Sequence, residues 1–182
     1  MEKKPWNFIG FFQQIAFLKL NIFQQTRILK GENFKLKIMT TLEDFLKLNK
    51  NRKIRTISKD QNVRQALILM SENNIGAIII VDNNDLPIGI FSERDYARKI
   101  VLKGKSSKDT LLNEVMTKEL ITVTKNYKID QCMKIMNEKG IRHLPVLESK
   151  KIIGIISIRD VLKIMMKEQK ELIDHLQKFI TT

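Results

Sequence analysis

One cysteine, Cys132, and two histidines, His143 and His175, are all the thiol and imidazole groups that the 182 residues supply. That excludes an internal disulfide and a four-ligand zinc site, and it favours a reducing compartment. The seven glycines are scattered along the chain, so neither a Gly-x-Gly-x-x-Gly nor a Gly-Lys-Ser/Thr loop occurs, and dinucleotide or triphosphate chemistry of those kinds finds no support. Ser92 and Ser157 stand in no nucleophile-elbow context, and nothing brings His143 or His175 to them, so catalysis is not expected. The longest uncharged run, Pro5 to Leu18, contains Asn7, Gln13 and Gln14 and is shorter than the roughly 20 apolar residues that a bilayer requires. Acidic residues are scarce as well: 20 Asp and Glu against 33 Lys and Arg leave a net charge of +13. Such a field attracts phosphates, nucleic acid or acidic membrane surfaces without choosing among them. Aromatics, at 7%, are too few and too scattered for a single-strand stacking surface, which ranks nucleic acid low as a partner.

What is present, 43% hydrophobic and 29% charged residues, suits a soluble globular chain of one domain or two small ones. Residues 1–38 stand apart, with seven basic residues against Glu2 and Glu32. This stretch reads as an addition upstream of a start at Met39, as a mitochondrial targeting segment, or as a surface-lying amphipathic helix; it has no serine and no small-residue cleavage site. The compartment expected is therefore the cytoplasm, or the mitochondrial matrix if the segment is a transit peptide.

The remainder is organised by an internal repeat. A shift of 66 residues lays Thr56 on Thr122, Val63 on Ile129, Ala66 on Cys132, Met70 on Met136 and Ile75 on Ile141. After a one-residue deletion the shift is 65, and Gly89-Ile90-Phe91-Ser92-Glu93-Arg94-Asp95 lies over Gly154-Ile155-Ile156-Ser157-Ile158-Arg159-Asp160. Each copy starts with a short β-branched piece, Arg55-Thr56-Ile57 or Ile121-Thr122-Val123. Apolar residues then recur at helical spacing (Val63, Ala66, Leu67, Met70; Ile129, Cys132, Met133, Met136). Two apolar runs of strand length follow, Ala77 to Val81 and Ile88 to Phe91 in the first copy, Leu144 to Leu147 and Ile152 to Ile156 in the second. A second helix is expected from about Glu93 to Val101, and from about Arg159 onward. The fold class is α/β (α+β): two pseudo-symmetric β-α-β-β-α repeats, 39–106 and 107–182, too small to stand alone and hence packed together. The last helix carries a stripe of Leu162, Met165, Leu172, Leu176, Phe179 and Ile180, which reads as core packing or, in part, as a dimer seam.

The repeated Gly-h-x-Ser-x-x-Asp motif carries the chemistry. Ser92 with Asp95, and Ser157 with Asp160, match a capping box, in which the serine oxygen accepts a backbone amide and the carboxylate reaches back to the cap. Capping does not demand that an arginine, Arg94 and Arg159, precede both aspartates. A carboxylate at a helix start can also accept two hydrogen bonds from a ribose diol, with an arginine left for phosphate. On these residues alone, cap and cap-plus-ligand both stay open. The copies differ at the start of the second strand, where Gly76-Ala77 in one answers to Arg142-His143 in the other, so a cationic pair is expected at one cleft only. Arg98, Lys99, Lys103, Lys105 and Lys108 read as a solvated face.

The paired Ser-x-Arg-Asp motifs, the Gly140-Ile141-Arg142-His143-Leu144-Pro145-Val146 stretch and Ser92 to Lys99 together resemble the tandem CBS-domain proteins, the two-repeat Bateman module, and within them the small stand-alone bacterial and organellar members. The resemblance runs from about Met39 to Phe179. It implies a module that binds AMP, ADP or ATP, needs no cofactor or metal, dimerises into a disc and regulates an unidentified partner protein; membrane contact is not implied. Carried over, Ser92 and Asp95 hold the ribose, Leu120 and Ile121 flank the adenine, Pro145 shapes the wall, and Arg142, His143 and Arg159 meet the phosphate. A second cleft would use Arg55, Thr56, Arg94, Ser157 and Asp160 and, lacking the cationic pair, is expected to be weak or empty. The alternative is a ligand-independent dimeric interaction module whose motifs are caps only.

Overall fold

The computed structural model describes residues 41–180, which fall within the compact unit Ile38–Thr182. The expectations for residues 1–38 and a start at Met39 lie outside the described residues. Along the chain run α1 (Leu42–Leu48), β1 (Thr56–Ser58), α2 (Val63–Glu72), β2 (Ala77–Val81), β3 (Pro87–Ser92) and α3 (Glu93–Asp95). After a π-turn at Tyr96–Ile100 and a 3-10 turn at Val101–Lys103 come α4 (Leu112–Val115), α5 (Ile129–Glu138), β4 (His143–Glu148), β5 (Lys151–Ser157) and α6 (Ile158–Ile180). In the first repeat β1 lies parallel to β2, and β2 pairs antiparallel with β3. In the second, β4 and β5 form an antiparallel pair. The expected strand at Ile121-Thr122-Val123 shrinks to one parallel bridge, Val123 with Val146, in the same register as Ile57 with Ile80.

All five residues of β2 are buried, as a strand apolar on both faces requires. Alternation sends Ile78 and Ile80 into a core with Val63, Ala66, Met70 and Phe91. The second repeat builds its own core from Ile129, Cys132, Met136, Leu144, Val146 and Ile156. Two short helices absent from the periodicity analysis join these cores crosswise. Helix α1, at the start of the first repeat, buries Leu42 and Phe45 in the core of the second; α4, which leads into the second repeat, buries Leu112 and Val115 in the core of the first. Fully burying such a side chain contributes about 1.5–3 kcal/mol, so the exchange ties the repeats together by two apolar anchors on each side. Each exchanged segment rests on the glycine that opens a motif: Gly89 faces Met116, and Gly154 faces Leu46.

Helices α2 and α5 end in the same way. Ile75 N–H reaches Met70 O at 3.0 Å and Asn74 N–H reaches Ser71 O at 3.2 Å, with the same bonds at Ile141 to Met136 (2.9 Å) and Gly140 to Asn137 (3.2 Å). The turn needs a left-handed residue, met by Asn74 (φ 52°) and Gly140 (φ 62°). It turns the chain back so that Gly76 and Arg142, which line the larger cavity described below, lead into the following strands.

Two helical expectations change. The helix expected from Glu93 to Val101 breaks into α3, the π-turn and the 3-10 turn. In α6 Met165 of the expected stripe packs on the core together with Val161 and Ile164, whereas Leu162 of the same stripe is 42% exposed. At Leu172, Leu176, Phe179 and Ile180 only the helical backbone is described.

Candidate functional site

Both motifs form complete capping boxes. Ser92 donates from N and Oγ to Asp95 Oδ2 at 3.0 and 2.6 Å, and Asp95 N–H returns to Ser92 Oγ at 3.3 Å. Ser157 does the same with Asp160 Oδ2 at 2.9 and 2.5 Å, with a return bond of 3.2 Å. Capping therefore uses one carboxylate oxygen of each pair and leaves Oδ1 to other chemistry. Here the repeats part. Asp95 Oδ1 takes the Lys99 ammonium at 2.8 Å and the Thr117 hydroxyl at 3.3 Å. Asp160 Oδ1 accepts no hydrogen bond among the described residues; its Oδ2 also receives Arg52 Nη1 at 3.2 Å.

Burial alone would push the Asp95 carboxyl up, but hydrogen bonds from Lys99 and Ser92 and the lysine charge outweigh it and hold the group below the usual carboxylate value. Asp160 behaves likewise, with Ser157 and Arg52 supplying the compensation. Burial and the neighbouring Arg142 push His143 down to about 4. At neutral pH His143 is thus an uncharged hydrogen-bonding group, and the expected cationic pair reduces to Arg142. The thiol of Cys132, raised to about 11 by burial, is unreactive at neutral pH.

Two cavities flank these motifs. The smaller, about 190 Å³, is lined by Ser92, Asp95, Leu120, Ile121, Arg142, His143 and Pro145. The larger, about 940 Å³, is lined by Arg55, Ser157 and Asp160, and again by Arg142 and His143. Three expected positions move. Arg159, placed beside Asp95 by the sequence, lines the larger cavity. Arg94, placed in the second cleft, lines the smaller one and donates from Nη1 to Gly140 O at 2.8 Å. Thr56 lines neither.

The contrast expected from the missing pair at Gly76-Ala77 changes too, because Arg142 and His143 line both cavities. The start of β4 sits between the two cavities, with His143 Nε2 within 3.7 Å of where a Cβ on Gly76 would stand, so the same side chains border both. Seven Lys and Arg side chains line the larger cavity against Glu93 and Asp160, whereas the smaller has Arg94 and Arg142 against Asp95 and Glu119. Lys50, Arg52, Lys53 and Lys163 were not singled out from the sequence. A signal for two of them existed, since the 66-residue shift lays Arg52-Lys53-Ile54-Arg55 on Lys118-Glu119-Leu120-Ile121, the segment assigned to the adenine.

Among the described residues no helix is long and apolar enough to cross a membrane, and no cluster of His, Cys, Asp or Glu could hold a metal ion. The CBS-domain family model matches residues 40–102 and 112–167. A mitochondrial CBS-domain-containing protein of Arabidopsis thaliana is 39% identical over 66% of this chain; the match spans 61% of that relative's length. The structure of a CBS-domain protein from Burkholderia ambifaria is 43% identical, covers 71% of this chain and 96% of its own, and superposes with a TM-score of 0.68. A hexameric CBS-CP12 protein from bloom-forming cyanobacteria is 28% identical over 61% of this chain and 65% of its own, with a TM-score of 0.57. CBS-domain proteins are commonly regulatory, nucleotide-binding modules, and stand-alone members are generally non-catalytic. Two matched domains, the repeated fold and two motif-lined clefts identify the chain as a tandem CBS-domain protein.

Proposed function

We propose that this chain is a regulatory module that binds an adenine nucleotide in the larger, Asp160 cavity and passes its occupancy to a partner protein. One observation carries the reading: a carboxylate with an open oxygen shares a cavity of about 940 Å³ with seven cationic side chains. The volume lies within the roughly 300–1,000 Å³ usual for small-molecule sites. Asp160 Oδ1 suits a ribose hydroxyl, and Arg52, Arg142 and Arg159 suit phosphate oxygens through charge-assisted bonds. This reverses the order of clefts expected from the sequence, since cations contributed by the segment before β1 outweigh the missing pair at Gly76-Ala77.

Arg52 belongs to the first repeat and Asp160 to the second, so a nucleotide that engages both favours one arrangement of the repeats. Exposed Leu162, Met166 and Ile173 on α6 support self-association, and the hexameric CBS-CP12 relative adds to that reading. The module acts by binding, in the cytoplasm or the mitochondrial matrix.

Thermal melting of the full chain with ATP, AMP, GTP, NAD and S-adenosylmethionine tests the proposal. A ligand at 100 times its Kd adds about 2.7 kcal/mol, a Tm rise of a few degrees. The expected result is an adenine-selective rise that Asp160→Asn removes. No rise with any of them would leave the motifs as helix caps and favour the ligand-independent interaction module.

A further inference from the structure

We infer that Lys99 disables the smaller cleft from outside its lining: its ammonium holds the Asp95 oxygen that a ribose would need, leaving the Asp160 cavity as the one of the two open to nucleotide. The inference rests on reading the clefts as nucleotide sites and assigns this lysine the choice between them.

The capping box already commits Asp95 Oδ2 to Ser92. The remaining oxygen is held by Lys99 Nζ at 2.8 Å, and the same ammonium donates to Val115 O at 2.8 Å and Thr117 Oγ1 at 3.1 Å. An ammonium has three donors, and here each has an acceptor. Lys99 is therefore not the solvated charge its neighbours in sequence suggest; its side chain is one-third exposed, and that of Asp95 16%. A ribose hydroxyl arriving at Asp95 would exchange the ion pair with the lysine for a hydrogen bond from an uncharged donor, and would strand the ammonium against the Val115 carbonyl.

The backbone supports the placement. Lys99 lies in the π-turn Tyr96–Ile100, a wider turn that recurs at functional sites, and it straps that turn to the end of α4 and the segment after it. Thr117 in that segment is also paired with Ile90 through two backbone bonds of 3.0 and 2.9 Å, so lysine and strand together hold the wall of the smaller cavity. Its volume, about 190 Å³, is below the usual range for a ligand site. The second repeat has no such device. The 65-residue shift places Ile164 where Lys99 stands, and Ile164 is buried in the second core, so that position offers Asp160 no ammonium.

Isothermal titration of the full chain with ATP and with AMP, for wild type, Lys99→Met and Lys99→Met with Asp95→Asn, tests this. The expected stoichiometry is one nucleotide per chain for wild type, two for Lys99→Met, and one again for the double variant. A wild type that binds one nucleotide and a Lys99→Met that also binds one would overturn the role of the lysine and leave the Asp160 site standing. Two sites in wild type would overturn it as well. Absence of binding in every protein would overturn the nucleotide reading itself. Should Lys99→Met fail to fold, wild-type background variants decide the point: Asp95→Asn is expected to leave ATP binding unchanged and Asp160→Asn to abolish it, and a loss of binding in Asp95→Asn would count against the closed cleft.

Discussion

Arg52 reaches from the first repeat to Asp160 in the second, 108 positions along the chain, and places Nη1 3.2 Å from Oδ2. The arginine is nearly half exposed, so the pair contributes little to stability, typically less than about 1 kcal/mol. Its place at the rim of a cationic cavity gives it more to do in binding. Arg52→Ala is expected to weaken ATP binding about tenfold, the value of one charged hydrogen bond, while the urea midpoint barely moves. A titration and an unfolding curve on the same preparation check both halves, and a large stability loss with unchanged affinity would contradict the assignment.

The two motif glycines are not equivalent in what they would tolerate. A Cβ on Gly89 would lie 2.5 Å from Met116 Sδ and 3.2 Å from the backbone oxygen of Thr117, whereas one on Gly154 would meet chiefly the tip of the Leu46 side chain. A leucine tip can rotate away; a backbone carbonyl in a bridge cannot. Gly89→Ala is expected to cost about 1–3 kcal/mol, as overpacking does, and Gly154→Ala less. Chemical denaturation of both variants provides the comparison, and the reverse order would show that α1, not the segment after α4, is the more rigid of the exchanged pieces.

His143 introduces a pH dependence of stability. Its folded value, about 4, lies below the ordinary 6.5, so the unfolded chain takes up the proton first as pH falls. Stability is therefore full above pH 6.5 and declines as pH drops from there through 4. Asp95 and Asp160 act with the same sign but below their ordinary 3.8, so the window from pH 7 to 5 isolates the histidine. The urea midpoint of wild type is expected to fall across that window by more than that of His143→Gln. Equal slopes would mean that the imidazole is not held neutral by the fold.

The repeated motif, the helical faces of α2 and α5 and the buried strands were legible because each follows from local periodicity and from comparing one copy with the other. Ser92-Asp95 and Ser157-Asp160 were readable as caps for the same reason, being contacts across three residues. Arg52 and Lys99 were not. Both sit among other charges in the sequence, and only the packing of one repeat against the other, or of the π-turn against the segment after α4, singles them out.

The amino-acid sequence by itself determined the two-repeat architecture, the family, and the identity of the carboxylates, since these depend on residue type at short spacing. Tertiary structure decided which carboxylate is open. The exchange of α1 and α4 carries Arg52 to Asp160, and the π-turn carries Lys99 to Asp95. Charges that are distant in sequence, or unremarked within a basic run, thereby become partners of one aspartate and competitors at the other. Electrostatic energy depends on separation in space, and a repeat alignment, which records separation in sequence, does not contain it.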